Sequence, residues 1–321
     1  RTVAQVLLDS ALPQLDHLFD YAVPDELASE LRVGQRVRVP FRSQSRRSHG
    51  YIVGFSQHSE FGGELQPIAE IVSPVPVLTP EVYRLARAVA DRAGGSAGDI
   101  LRLAIPNRMV RAEKQHLLGR AVEAPDEPPG FAATPEESRL AELLVSGGRV
   151  AVTASHGPVR LHTGEWVGGW AASLARAALA VHASGRSAIV IAPDYRDIDQ
   201  LRDALAAFGH QGAVRVDSRQ SGSERYAGFL RALDPVPRVI LGNRSAVYAP
   251  AHRLGAILMW DEGDPVLAEP HTPYVHARDA ALVRAEQSGA GLYFSSHSRS
   301  VEVQRLVELG YLQAEILPPR R

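Results

Sequence analysis

Short apolar-rich runs at Thr2 to Leu8, Gln35 to Phe41 and Gly50 to Ser56 have the length and spacing of strands, and turns marked by Gly and Pro separate them. They predict a small β unit. The period then lengthens. Thr79-Pro80-Glu81 offers an N-cap followed by Pro at the first helical position, ahead of an apolar-periodic helix from Val82 to about Arg92, and a second short helix follows over Asp99 to Leu103. From Glu113 to Ala133 the periodicity fades, and Pro125, Pro128 and Pro129 stand among acids and small residues, which predicts a linker. Thr134-Pro135-Glu136-Glu137 is a capping box that launches a helix ending at Gly147-Gly148.

Beyond that helix the pattern alternates. Apolar runs at Val150 to Thr153, Ala188 to Ala192, Arg238 to Leu241, Ala256 to Trp260 and Leu292 to Phe294 are separated by helical stretches. Those stretches cover Trp166 to Ala183, Asp197 to Phe208, Ser223 to Leu233 and Ala277 to Gln287. This order predicts a parallel sheet covered by helices on both faces, with any ligand beyond the carboxyl ends of the strands. Three segments are therefore expected: a first domain over 1–112, a linker over 113–133 and a parallel-sheet lobe over 134–321.

Composition narrows the partners. The chain has no Cys, so neither a disulfide nor a thiolate metal site is possible in it, and a reducing compartment is the expected setting. No apolar run approaches the roughly 20 residues that span a bilayer, so no membrane partner is expected. A net charge of -1 excludes a uniformly basic nucleic-acid binder and leaves room only for a local patch. Arg32, Arg36, Arg38, Arg42, Arg46 and Arg47 form one, with no acidic residue among them. It reads either as a phosphate-facing surface or as a solvated arginine-rich hairpin.

The loop after the first strand of the lobe reads Ala154-Ser155-His156-Gly157-Pro158-Val159-Arg160-Leu161-His162-Thr163-Gly164-Glu165. A polyphosphate loop needs free backbone N–H groups and a Lys. Here Pro158 removes a donor, Glu165 adds negative charge, and Lys114 is the single lysine of the chain. Gly157, Arg160 and Gly164 mark the degenerate region, with Arg160 or His162 as the only substitutes for the missing Lys. Farther on, the run ending at Trp260 leads into Asp261-Glu262-Gly263-Asp264, which is either a magnesium-holding strand end or a solvated loop.

Several segments stand together in one order: Ala11-Leu12-Pro13, Phe19-Asp20-Tyr21, Gly34-Gln35-Arg36-Val37-Arg38-Val39-Pro40-Phe41, Pro76-Val77-Leu78-Thr79-Pro80 and Gly98-Asp99-Ile100-Leu101-Arg102-Leu103-Ala104-Ile105-Pro106. In the lobe they are followed by Gly242-Asn243-Arg244-Ser245-Ala246, Asp261-Glu262 and His276-Ala277-Arg278-Asp279. Over nearly the whole chain this series resembles the PriA family (primosomal protein N') of replication restart proteins. The resemblance implies a β-barrel-like domain that binds DNA 3' ends, followed by a RecA-like helicase lobe. It also implies that the chain is a portion of a longer protein, whose zinc module and second lobe come later.

For the site residues, the resemblance implies a DNA 3'-end pocket containing Phe19, Asp20 and Tyr21, with Arg36, Arg38, Arg42, Arg46, Arg47 and Arg244 as further DNA contacts. An aromatic offers a face to a terminal base, and a carboxylate accepts from base N–H or hydroxyl groups. Phe19 and Tyr21 read equally well as core residues of a β unit. Three departures stand out. Arg42 replaces the family's Gly after Pro-Phe, and Gln66 stands where some members place a Lys. The family's phosphate loop, its Asp-Glu-Glu-His and its Gly-Ser-Ala-Thr-Pro are all altered, the last around Ser295-Ser296-His297-Ser298. His276, Arg278 and Asp279 read as a structural helix start.

The expected function is a scaffold of primosome assembly that binds DNA at stalled forks without ATPase or helicase activity. The alternative is an ATP-dependent 3'-5' DNA helicase with an unorthodox phosphate loop, using Asp261 and Glu262. No cofactor or metal is expected in this chain: the loop disfavours ATP with magnesium, and the family's zinc belongs to its later region. Forks with a 3' leading-strand end, primosome proteins, single-stranded DNA-binding protein and replicative helicase are the implied partners, in a cytoplasmic, nucleoid-associated setting.

Overall fold

The computed structural model describes residues 2–41, 43–119 and 131–316, and the chain divides into two compact units, Arg1–Ile105 and Pro106–Arg321. In the first, β1 (Val3–Leu8), β2 (Leu18–Ala22), β3 (Gln35–Phe41), β4 (Ser43–Ser56) and β5 (Glu70–Pro76) form an antiparallel sheet in the order β2-β1-β4-β3-β5. Its inner face buries Ala4, Val6, Leu8, Tyr21, Val37, Val39 and Ile52. Just before β5, the Ala22 amide donates to the Gln66 carbonyl (2.9 Å), the Ile68 amide to the Ala22 carbonyl (3.1 Å) and the Ala69 amide to the Arg38 carbonyl (2.9 Å). These bonds tie the β2 edge back to β3, and the sheet curls toward closure. Gly34 makes the entry to β3 possible: its φ is +89°, and a side chain there would run into the Leu78 carbonyl.

Two of these strands escape the sequence pattern. Asp20 interrupts the apolar run of β2, and β5 carries Pro74 and Pro76, which a strand at the end of a sheet tolerates because its outer donors need no partner. The helices match expectation more closely. Thr79 caps α1 (Pro80–Ala93) by accepting from the Val82 amide at 3.2 Å, and Gly94 ends it in the left-handed region. Ser96 and Asp99 form a capping box on α2 (Ala97–Ala104). Gly94-Gly95-Ser96-Ala97-Gly98 has the spacing of a hydrolase nucleophile elbow, but the Ser96 hydroxyl is spent on this cap.

The second unit opens with α3 (Val110–Gly119) and α4 (Pro135–Val145), then β6 (Arg149–Thr153), a ribbon of β7 (Pro158–Arg160) and β8 (Trp166–Gly168), and α5 (Gly169–Ala183). It continues through β9 (Ser187–Ile191), α6 (Tyr195–Ala207), β10 (Val214–Val216), α7 (Gly222–Ala232), β11 (Val239–Gly242) and β12 (Leu254–Trp260). The last elements are α8 (Ala277–Ser288), β13 (Gly291–Ser296), α9 (Val301–Glu308) and β14 (Gln313–Ile316). Seven strands run parallel in the order β10-β11-β9-β12-β13-β6-β14. Their central members, Ile189 to Ile191 and Ile257 to Met259, are fully buried, as a sheet covered on both faces requires.

Two expectations need correction. The boundary lies at Ile105/Pro106 rather than at 112/113, and residues 113–119 of the expected linker are the body of α3. That helix is held by chemistry the linker reading overlooked: buried Glu113 accepts from the Arg108 guanidinium (2.6 Å) and from the Tyr226 hydroxyl of α7 (2.7 Å). The expected linker residues 120–130 lie outside the described residues. The helix expected from Trp166 begins only at Gly169, because Val167 pairs with Val159 across the ribbon and a β-branched pair favours the strand.

Strand order sets the functional geometry. Since β13 lies between β12 and β6, the loops after all three converge at the carboxyl edge. The Ala154 amide donates to the Ser296 carbonyl (2.9 Å) and the Asp261 amide to the Ser295 carbonyl (2.7 Å). Among the described residues, no helix is long and apolar enough to cross a membrane.

Candidate nucleic-acid interface

In the first unit a cleft of about 1070 Å³ opens beside β2, lined by Phe19, Asp20 and Tyr21, by Gln5 of β1, and by the segment from Ser56 to Gln66 that leads to β5. Strand alternation divides the three sequence-predicted residues. Tyr21 is buried in the core of the first unit, its hydroxyl donates to the Pro40 carbonyl (3.0 Å), and burial pushes that hydroxyl up to about 12. Phe19 is half-buried, edge-on to Phe41 at 5.8 Å and 4.2 Å from the His17 ring. Asp20 pairs in register with Gln5 and accepts one hydrogen bond, from the Ser59 hydroxyl at 2.6 Å. A carboxylate has about four acceptor sites, so the greater part of its capacity remains for a ligand.

The arginine-rich strands are less uniform than their sequence. Arg36 lies over the Tyr51 ring, with its centre 5.3 Å away, and donates to the Tyr51 hydroxyl (2.8 Å). Arg38 pairs with Glu70 at 2.6 Å. Arg47 is exposed. Arg42 lies outside the described residues, as does the side chain of Arg46.

In the second unit the region around Gly157, Arg160 and Gly164 is the ribbon rather than a phosphate cradle. Four of its backbone donors are spent: the Leu161 amide on the Glu165 carbonyl (2.8 Å), Gly164 on Leu161 (2.9 Å), Gly169 on Gly157 (3.0 Å) and Gly168 on the Gln200 side chain (2.7 Å). Trp170, at the start of α5, stacks on Trp260 with ring centres 4.1 Å apart and 7° between planes. His297 stands edge-on to Trp260 at 5.0 Å and stacks on His156 at 4.5 Å. A nucleotide polyphosphate needs free N–H groups, and those four of the ribbon are already taken.

The carboxylates expected beyond β12 go separate ways. Glu262 is buried and accepts from the Ser300 amide (2.9 Å) and hydroxyl (2.5 Å), anchoring the start of α9. Asp261 is half-buried; burial, then neighbouring Asp264, raise its carboxyl, and His297 opposes the shift. Burial also brings Asp197 to about 6, with Asp194, Asp261 and Asp264 adding to it. Among the described residues, no group of three or more His, Asp or Glu is arranged to hold a metal ion. Arg244 is held by Glu269 at 2.9 Å. His276 caps α8, and Arg278 pairs with Asp279 at 3.3 Å, the structural helix start that the sequence suggested.

Residues 5–106 match the family model of the PriA 3'DNA-binding domain (3'BD). The chain is 36% identical over 311 residues to the probable replication restart protein PriA of Mycobacterium tuberculosis (strain ATCC 25618 / H37Rv), covering 96% of this chain and 46% of that one. The chain belongs to the PriA family. The PriA of Mycobacterium leprae is 33% identical over 304 residues (94% and 46% covered), and that of Treponema pallidum 29% over 299 (90% and 43%). The chain thus spans about half the length of these PriA relatives. A structure of RecG bound to a three-way DNA junction aligns at a TM-score of 0.38 and 12% identity, over 75% of this chain and 30% of that one. The fold assignment rests on the strand order given above.

Within the PriA 3' DNA-binding domain, sequence reasoning missed Gln5, His17, Ser59 and Phe61 of the cleft. A signal existed for Phe61, an aromatic between Glu60 and Gly62-Gly63 in a polar loop. Gln5 carried none, being one polar residue in a buried strand.

Proposed function

We propose that this chain captures the 3' end of a nascent leading strand at a stalled fork and acts there as a scaffold of primosome assembly without turning over ATP. The observation that carries the first half is the open cleft of the 3' DNA-binding domain, with Asp20 largely unspent and Phe19 in its lining. Asp20 accepts from a terminal hydroxyl or base N–H, Phe19 offers its face to the last base, and Tyr21 supports the wall. Arg47 is the phosphate contact, with Arg42 and Arg46 as the further contacts that the family resemblance implies, while Arg36 and Arg38 shape the surface. Arg244 adds a contact from the second unit. Single-stranded DNA-binding protein, primosome proteins and the replicative helicase are its partners in a nucleoid-associated setting.

The closed ribbon and the Trp170–Trp260 stack support the second half. The two halves are tested separately. Fluorescence anisotropy at fixed moderate salt compares a fork bearing a free 3' leading-strand end with the same fork blocked at that end. Preference for the free end, lost in Asp20→Ala, is expected; equal salt-sensitive binding to both forks would sink the capture pocket. DNA-stimulated ATP hydrolysis abolished by Asp261→Asn would overturn the scaffold reading and restore the helicase.

A further inference from the structure

The ribbon that replaces the phosphate loop carries an exposed aromatic that nothing so far explains. Trp166 of β8 is 63% exposed, and its register partner across the ribbon is Arg160 of β7, also exposed. Facing residues on an antiparallel pair share one side of the ribbon. Neither side chain has a hydrogen bond, ion pair or ring contact among the described residues, whereas Arg36, Arg38, Arg149, Arg176, Arg215 and Arg244 are all engaged. The ribbon beneath them is anchored: Leu161 and Val167 are buried in the main core of the unit. A firmly seated two-stranded ribbon thus presents a free indole and a free guanidinium on one face, with exposed His162 in the turn and Glu165 as its one carboxylate.

An indole face flanked by a cation is complementary to a polyanion that also offers flat π-faces. We propose that the β7–β8 ribbon is a second nucleic-acid contact, in which Trp166 stacks on an unpaired base of single-stranded DNA and Arg160 meets the adjacent phosphate. This site is separate from the 3'-end cleft and needs no strand terminus. It turns the lost phosphate loop into a point that holds single strand without regard to sequence, since every base has a face to stack.

The test uses the full chain and a circular oligothymidylate, which has no 3' end for the cleft to take. Trp170 and Trp260 are buried against each other, so acrylamide quenching in the free chain reports Trp166. The circular DNA is expected to quench that same emission. Trp166→Ala should abolish the quenching and weaken binding, read by anisotropy, at least about five-fold, the lower bound for one stacked base. Trp166→Phe should restore most of the affinity, and Arg160→Gln should lower the slope of log affinity against log salt by about 0.7, one phosphate on a single strand. Unchanged affinity in Trp166→Ala overturns the proposal. So does a Trp166 that acrylamide cannot reach, because the ribbon would then be covered by protein.

Discussion

Asp20 and Glu262 are both carboxylates in segments that resemble family motifs, yet the two units treat them oppositely. Asp20 borders an open cleft with Ser59 as its hydrogen-bond donor, whereas Glu262 is sealed, gripped by the Ser300 amide and hydroxyl and 3.9 Å from the Arg278 guanidinium. The aromatics divide the same way: Phe19 and Phe61 line the cleft, while Trp170 and Trp260 have closed on each other. A motif residue can act on a ligand only with hydrogen-bonding capacity that the fold has not already used. By that measure Asp20 keeps capacity for a ligand, and Glu262 has spent its own on the start of α9.

If the rings beyond β6 and β12 are structural, removing one should unfold something. Trp260→Ala is expected to cost the second unit about 3 to 5 kcal/mol, the range for emptying a large aromatic from a core. All three tryptophans of the chain lie in that unit, so urea unfolding followed by the remaining emission reads it alone. An unaltered midpoint would mean the stack is only a lining, free to part for a ligand. The opposite signature is expected at the cleft. Asp20→Ala should leave stability within about 1 kcal/mol, yet lower affinity for a free 3' end by roughly ten- to a hundred-fold, as losing hydrogen bonds to a charged group implies. Among the arginines, Arg47→Gln should reduce the salt slope on duplex arms by about 0.9, whereas Arg38→Gln, which leaves Glu70 alone, should barely move it.

The same contrast explains what the sequence could disclose. Capped helices such as α1 and α4 and the buried runs of the parallel sheet were legible because their signals are local: Thr-Pro starts, glycine stops and apolar blocks of strand length. The ribbon was not, because its decisive contacts, Gly169 to Gly157 and Gly168 to Gln200, join residues that no short window contains. The sequence showed that no lysine follows Lys114, but not that a two-stranded ribbon stands after β6. Asp20 stood out as a polar residue between aromatics, while its partner Ser59 lies 39 positions away. Site residues that are odd in their own strand can be found from sequence, and those that become relevant only through pairing cannot.

A smaller effect probes the charge held at the carboxyl edge. Asp197, at the start of α6, titrates at about 6, raised first by burial and then by Asp194, Asp261 and Asp264, against the hydrogen bond from the Asp194 amide. Because the folded value lies above the unfolded one, folding favours the protonated acid. Its contribution is complete below the ordinary carboxylate range and is lost as pH rises through about 6. At pH 8 the chain therefore holds an unwelcome charge. Asp197→Asn removes that charge while keeping an acceptor for the Asp194 amide. Solvent still reaches the half-buried carboxyl, so the gain at pH 8 should be about 1 kcal/mol rather than the full linkage value. The gain should shrink steadily below pH 6 and vanish near pH 4. Thermal melts of both proteins across that range decide the matter. A gain equal at every pH would show that the substitution acts through helix capping and not through charge, while the expected slope marks an edge where neighbouring acids raise one another.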